Sequence, residues 1–144
     1  RTQILWPPHC VQNSAGAELL LDSSVFEVIV RKGQDSRFDS YSGFQDDGGG
    51  KTGLDDVLKV GGIKVLLIYG LATDYCVKST ALDGIANGYR VVVVEDLCRG
   101  VAPETTAKAL EEMRAKGIII VKEIDPAIVA SMQGFLHLEQ RSPP

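Results

Sequence analysis

The strongest constraint on the fold is a set of short, almost continuous apolar runs separated by stretches with helical spacing. These runs lie at residues 26–31, 64–69, 89–95 and 117–122, and all of them are rich in β-branched residues. Strands buried on both faces have this character, whereas strands with one wet face alternate apolar and polar residues. The four runs therefore predict strands of a parallel sheet joined by right-handed crossovers.

Helical patterns lie between the runs and predict the crossovers. Apolar residues recur at helical spacing over residues 76–86, and Asn87-Gly88 ends that pattern. A second helix is predicted over 103–116, a short one over 53–60 and a weaker, longer one over 125–138. The order of elements predicts an α/β fold with helices on both faces of a mostly parallel sheet.

Size, charge and cysteine content exclude several classes of protein. The 144 residues fit one domain, which we place at residues 1–138 with a flexible tail at 139–144. A net charge of −4 argues against a nucleic-acid partner, since phosphate binding needs clustered Lys and Arg. The apolar runs are too short to span a bilayer, so no membrane partner is expected. Three cysteines without a CxxC pair favour a reducing compartment, and we expect a cytoplasmic protein.

Cys76 carries the most chemical information. It follows the predicted strand at 64–69 through a turn and opens the next helix, at the edge of a parallel sheet where ligands bind. The helix dipole and the unpaired N–H groups of the first turn favour a thiolate there, and the same groups could hold an oxyanion. Position alone also fits an inert buried cysteine, because free Cys is among the most buried residues.

Two other residues have both a structural and a functional interpretation. Lys32 leaves the first apolar run at its C-terminal end, where a lysine is usually a solvated charge. If it points toward Cys76, its ammonium group would stabilise the thiolate. His9 follows Trp6-Pro7-Pro8 and fits a metal ligand or a hydrogen-bonded structural histidine. Gly50-Lys51-Thr52 lacks the rest of a phosphate-binding loop, so nucleotide hydrolysis is rejected.

Six ordered segments together resemble the nicotinamidase/pyrazinamidase branch of the isochorismatase-like cysteine hydrolases. The segments are WPPHCVQ (6–12), KG (32–33), DSYSGF (39–44), GLATDYCVK (70–78), ALDGIANGY (81–89) and DLCRGV (96–101). The resemblance implies a three-layer α/β/α fold. It also implies the hydrolysis of nicotinamide, a small-molecule amide, to nicotinate and ammonia in NAD salvage.

The resemblance also implies roles for individual residues. Cys76 is the nucleophile that forms a thioester with the substrate, and Lys32 supports its thiolate. The backbone N–H groups of Ala72 and Cys76 form the oxyanion hole, with a cis peptide between Leu71 and Ala72. Trp6 packs against the substrate ring.

Substrate binding and the metal site complete this set of expectations. Leu71 is a second residue expected at the substrate. His9 is one ligand of a divalent metal, which in the complete enzyme is zinc, iron or manganese.

Two segments typical of the family have no counterpart in the sequence. One is the family's first strand, which carries an aspartate that acts as general base. The other is an Asp-x-His segment that supplies the remaining metal ligands. We therefore expect an N-terminally incomplete nicotinamidase or a shortened paralogue, with weak metal retention.

Three further alternatives stay open. The function could be that of another isochorismatase-like amide hydrolase, or the chain could be a catalytically silent α/β binding domain. A homo-oligomer is compatible with the unpaired sheet edge that a missing strand leaves.

Overall fold

The computed structural model describes residues 5–127 and residue 130. The chain divides into two units, Arg1–Val30 and Arg31–Pro144, which are described separately. In the first unit, two short 3-10 helices lie at Ala15–Ala17 and Ser23–Val25. The sheet and the α-helices below belong to the second unit. The predicted tail at 139–144 and most of the predicted helix at 125–138 lie outside the described residues.

The second unit contains a parallel three-stranded sheet with the order β1-β2-β3. The strands are β1 (Val65–Leu71), β2 (Arg90–Arg99) and β3 (Ile119–Val121). The register of β1 against β2 shifts between Ile68 and Gly70, after which Gly70 pairs with Cys98. The predicted parallel sheet is confirmed, and three of the four predicted strands are present.

Helices connect the strands as the sequence predicts. The helices are α1 (Leu54–Val60), α2 (Lys78–Ala86) and α3 (Pro103–Ala115). The chain passes from β1 through α2 to β2, and from β2 through α3 to β3. Since α2 and α3 contact each other, they lie on the same face of the sheet. Pro103 stands at the start of α3, where its missing N–H and fixed φ suit the first turn.

The core lies between these helices and the central strand. Val91, Val92, Val93 and Val94 are all buried. Because successive side chains of a strand point to opposite faces, four buried neighbours require that both faces of β2 are covered. The largest contributions from the helices are Leu110 and Met113. The continuous apolar run at 89–95 thus predicted the burial of its strand correctly.

The predicted strand at 26–31 is not a strand in the structure. A strand forms where a neighbouring strand satisfies its backbone hydrogen bonds, and the described sheet consists of β1, β2 and β3. Phe26, Val28 and Ile29 are 39%, 53% and 43% exposed. An apolar, β-branched run shows a tendency to pair, but without a paired neighbour it remains extended chain.

The described part of the chain contains no helix long and apolar enough to cross a membrane.

Gly84 marks a close approach of α2 to the sheet. A Cβ at this position would lie 2.9 Å from Val91 Cγ2 and 3.2 Å from Leu66 Cδ1. We expect Gly84→Ala to lower the free energy of unfolding by about 1–3 kcal/mol through overpacking. This loss should appear although alanine is the better helix former by about 1 kcal/mol.

Urea unfolding monitored by circular dichroism measures this change. Ser79→Ala in the same helix is the control, because it improves helix propensity without adding an atom. A Gly84→Ala variant as stable as the parent would contradict the close packing.

Candidate active site

The connection between β1 and α2 carries Cys76. β1 ends at Leu71, and Thr73–Val77 form a π-helix that runs directly into α2. We call residues 71–77 the Cys76 turn. Cys76 is half-buried at the C-terminal edge of the sheet, where the sequence predicts it. The α-helix itself begins at Lys78, two residues later than predicted, because the wider π turn precedes it.

The Cys76 turn is closed by its own backbone. The Ala72 carbonyl accepts hydrogen bonds from the N–H groups of Tyr75 and Val77, at 3.1 and 3.0 Å. The peptide bond between Leu71 and Ala72 is cis, as the resemblance implies. Leu71 is 72% exposed at the end of β1, and its place at the substrate stays a prediction. The use of the Ala72 N–H as an oxyanion donor stays a prediction.

Lys32 contacts Cys76 directly. The Lys32 Nζ atom lies 3.3 Å from Cys76 Sγ and donates a 2.5 Å hydrogen bond to the Ser40 carbonyl. Of the two interpretations of Lys32, the structure thus shows the one in which its ammonium group faces the thiol. The positive charge of the ammonium group therefore lies within contact distance of the sulfur atom.

The segment at residues 40–44 lies against the same turn. The Ser40 hydroxyl accepts a hydrogen bond from the Gly33 N–H at 3.1 Å. At the other end, the Gly43 N–H donates to Thr80 Oγ1 at 2.9 Å, and the Thr80 hydroxyl donates to the Cys76 carbonyl at 2.7 Å. This segment therefore holds both Lys32 and the Cys76 backbone. Sequence analysis did not identify Ser40 or Thr80, because a hydroxyl side chain carries no signal of its partner.

Asp74 is a buried carboxylate in the Cys76 turn that sequence analysis also missed. It accepts hydrogen bonds from the Val101 N–H at 3.0 Å, the Ala102 N–H at 3.5 Å and the Thr105 hydroxyl. Burial alone would raise the pKa of Asp74, but these hydrogen bonds outweigh it and hold the pKa below its ordinary value. The position of an acidic residue before a cysteine was the available signal, and it does not reveal donors about thirty residues away.

The three cysteines occupy different environments. Cys10 is exposed, Cys76 is half-buried and Cys98 is buried. Burial raises the pKa of the Cys98 thiol, which therefore favours the inert, protonated form. The inert buried cysteine considered for Cys76 describes Cys98 instead.

Two predicted site residues belong to the first unit. Trp6 and His9 are both exposed. Their places at the substrate ring and at a metal ion stay predictions.

The described residues do not make a complete metal site. Within the part of the chain that the structure describes, His, Cys, Asp and Glu side chains form no group of three or more that could hold a metal ion. His9 alone supplies too few ligands, because affinity depends on several converging donors.

Comparison with known proteins identifies the family. A profile of the isochorismatase domain matches residues 2–124. The chain belongs to the isochorismatase family. It is 49% identical over 120 residues to the nicotinamidase of Escherichia coli (strain K12), a match that covers 80% of this chain and 56% of that protein.

Solved structures of this family are similar throughout the matched part. PnC1 from L. infantum in complex with nicotinate superposes with a TM-score of 0.78 at 39% identity, over 82% of this chain and 61% of that one. Pyrazinamidase of Pyrococcus horikoshii in complex with zinc gives a TM-score of 0.74 at 42% identity, over 83% and 64%. The isochorismatase-family chain thus spans less than two thirds of each of these relatives.

The contact between Lys32 and Cys76 predicts a change in thiol reactivity. We expect Lys32→Ala to slow alkylation of Cys76 at pH 7 by roughly threefold to fivefold, since an exposed ion pair contributes up to about 1 kcal/mol. Iodoacetamide labelling followed by peptide mass spectrometry measures Cys76 separately from Cys10 and Cys98.

Lys78→Ala is the matched control for this experiment. Lys78 is close in sequence, but its ammonium group pairs with Glu112 at 3.1 Å. We expect labelling of Cys76 to be unchanged in this variant. Equal rates in the parent and Lys32→Ala proteins would show that the ammonium group does not activate the thiol.

The hydrogen bonds of Asp74 predict an acid-sensitive contribution to stability. Because its folded-state pKa lies below the ordinary value of 3.8, its contribution is fully present above that pH and is lost as pH falls through the folded-state pKa. We expect Asp74→Asn to lower the free energy of unfolding near neutral pH and to flatten its decline below about pH 4. Urea unfolding across this pH range tests it, and an unchanged slope would contradict the role of the carboxylate.

Proposed function

We propose that the protein is a cysteine amidohydrolase that converts nicotinamide to nicotinate and ammonia, a step of NAD salvage. The observation that carries the proposal is the 3.3 Å contact of Lys32 Nζ with Cys76 Sγ at the C-terminal edge of the sheet. The similarity to the E. coli nicotinamidase and to the nicotinate complex of the L. infantum protein supports this choice of substrate.

In the first half of the reaction, Cys76 attacks the amide. The thiolate sulfur forms a bond with the carbonyl carbon, and the carbonyl oxygen becomes an oxyanion that accepts hydrogen bonds from the N–H groups of Ala72 and Cys76. The carbon–nitrogen bond then breaks. The proton lost by the thiol ends on the departing nitrogen, so ammonia leaves and a nicotinoyl thioester remains on Cys76.

In the second half, water attacks the thioester carbonyl and the carbon–sulfur bond breaks. Nicotinate is released, and the sulfur leaves as the thiolate beside Lys32. Of the two protons that the water loses, one returns to the site and restores its starting protonation state, and the other passes to solvent. The ammonium group thus stabilises the sulfur anion before attack and again as a leaving group. Lys32 therefore acts in both half-reactions and keeps its proton throughout.

Trp6 and Leu71 complete the proposed site as contacts for the pyridine ring. His9 is proposed as one ligand of a divalent metal, which the zinc complex of the P. horikoshii pyrazinamidase supports for a relative. Since the described residues do not form a complete metal site, no step above depends on a metal. We further place the catalytic domain at residues 1–138 of a cytoplasmic protein that is compatible with homo-oligomerisation.

The decisive experiment is ammonia release from nicotinamide by the protein expressed from its complete reading frame, with divalent metal supplied. We expect turnover in the parent and in the Cys10→Ser control. Cys76→Ala should lose at least about a thousandfold in rate, because the nucleophile is removed. Mass spectrometry of acid-quenched reactions should show a nicotinoyl group on the Cys76 peptide.

Three results would overturn the proposal in different ways. Full turnover in Cys76→Ala would remove the cysteine from the mechanism. Faster hydrolysis of an aliphatic carbamoyl amide than of nicotinamide would assign the protein to another amide hydrolase of the family. Failure to hydrolyse either amide would support a catalytically silent binding domain.

A further inference from the structure

Asp74 has no role in the proposed reaction, yet it is a buried carboxylate in the same π-helix as Cys76. Asp74 is only 6% exposed. Burying a charge is costly unless hydrogen bonds replace its hydration. The donors that replace water lie next to one another at the start of α3. They are the N–H groups of Val101 and Ala102, in the connection from β2, and the Thr105 hydroxyl in the first turn of the helix.

The Asp74 carboxylate accepts hydrogen bonds at the N-terminal end of α3. The first N–H groups of a helix lack partners within the helix, and a side-chain oxygen usually caps them. Ala102, at the cap position before Pro103, has no side-chain acceptor. Asp74 reaches this end from the Cys76 turn, and its negative charge lies at the positive end of the helix dipole. The Cys76 turn and α3 therefore stabilise each other.

The opposite side of the Cys76 turn has a different anchor. There Thr80 joins the Cys76 carbonyl to Gly43, in the segment at residues 40–44. Lys32 is held by the Ser40 carbonyl of the same segment, and its second hydrogen bond goes to Cys76 Sγ. The Cys76 turn is thus held on two sides, by the segment at residues 40–44 and by the contact of Asp74 with the start of α3.

We propose that Asp74 is a positioning residue, whose carboxylate fixes the Cys76 turn to the N-terminal end of α3 and so sets the place of the Cys76 sulfur relative to Lys32. The inference deepens the proposed amidohydrolase function and rests on it for the kinetic part of the test. Its chemical part, the reactivity of the thiol beside Lys32, is measured without substrate.

The sign of the effect separates position from charge. Removing a negative charge two residues before Cys76 would by itself speed up alkylation, because it removes electrostatic repulsion of the attacking sulfur anion. Loss of the anchor would instead move the sulfur away from Lys32 and slow it. We therefore expect Asp74→Asn to slow the labelling of Cys76 by iodoacetamide at pH 7 by about threefold, the effect of losing one exposed ion pair.

Variants of Thr105 test the same anchor without changing the charge. Thr105→Val removes the hydroxyl donor and keeps the shape, and we expect the same slowing of about threefold. Thr105→Ser restores the hydroxyl, so its labelling rate should return to that of the parent. This pair keeps the test valid if Asp74→Asn fails to fold.

Asp55→Asn is the matched control for general destabilisation. The Asp55 carboxylate accepts a 2.7 Å hydrogen bond from the Tyr89 hydroxyl and pairs with Lys59 at 2.6 Å. This variant should lower the urea midpoint and leave the labelling of Cys76 unchanged. If Asp55→Asn slows labelling as much as Thr105→Val does, or if neither Thr105→Val nor Asp74→Asn slows it, Asp74 does not position the thiol.

Steady-state kinetics supply the second measurement. We expect Thr105→Val to lower kcat by about tenfold and leave KM within about twofold, because misplacing an attacking atom affects the chemical step more than binding. A rise in KM with unchanged kcat would contradict the inference. If the parent hydrolyses no amide, the proposed function fails, and the labelling rates still decide the role of Asp74.

Discussion

The double burial of β2 is the constraint on which the rest of the second unit depends. Four consecutive valines, Val91–Val94, are buried, so both faces of the central strand must be covered. The parallel crossovers return α2 and α3 over the sheet and bring the C-terminal ends of β1 and β2 together. The Cys76 turn and the start of α3 therefore meet at one edge, although about thirty residues separate them.

Three segments of the chain form this edge, and each contributes a different feature. The sheet supplies a rigid end to β1, the π-helix presents Cys76, and the segment at residues 40–44 carries the carbonyl that holds Lys32. The contact between Lys32 and Cys76 thus joins two chain segments at this edge, and apolar packing lies beneath it. The exposed Lys32 side chain has a defined position because its ammonium group donates to the Ser40 carbonyl as well as to the thiol.

The sequence predicted what periodicity and a family motif can encode. The apolar runs located β1, β2 and β3, Pro103 marked the start of α3, and the resemblance implied the cis bond between Leu71 and Ala72. Residues 26–31 were wrongly predicted as a strand, because pairing is a property of a neighbour and not of the run itself. Asp74 and Thr80 were missed for a related reason. Their partners are set by tertiary contacts, which local spacing does not show.

The π-helix at Thr73–Val77 gives the site a geometric property of its own. A π turn contains about one residue more than an α turn, and each residue of an α-helix advances the side chain by about 100° around the axis. Shortening this turn by one residue would leave β1 and α2 in place as elements but swing the sulfur to another side of the helix. We therefore expect the length of this turn, as well as the hydrogen bonds around it, to determine whether the sulfur points toward Lys32.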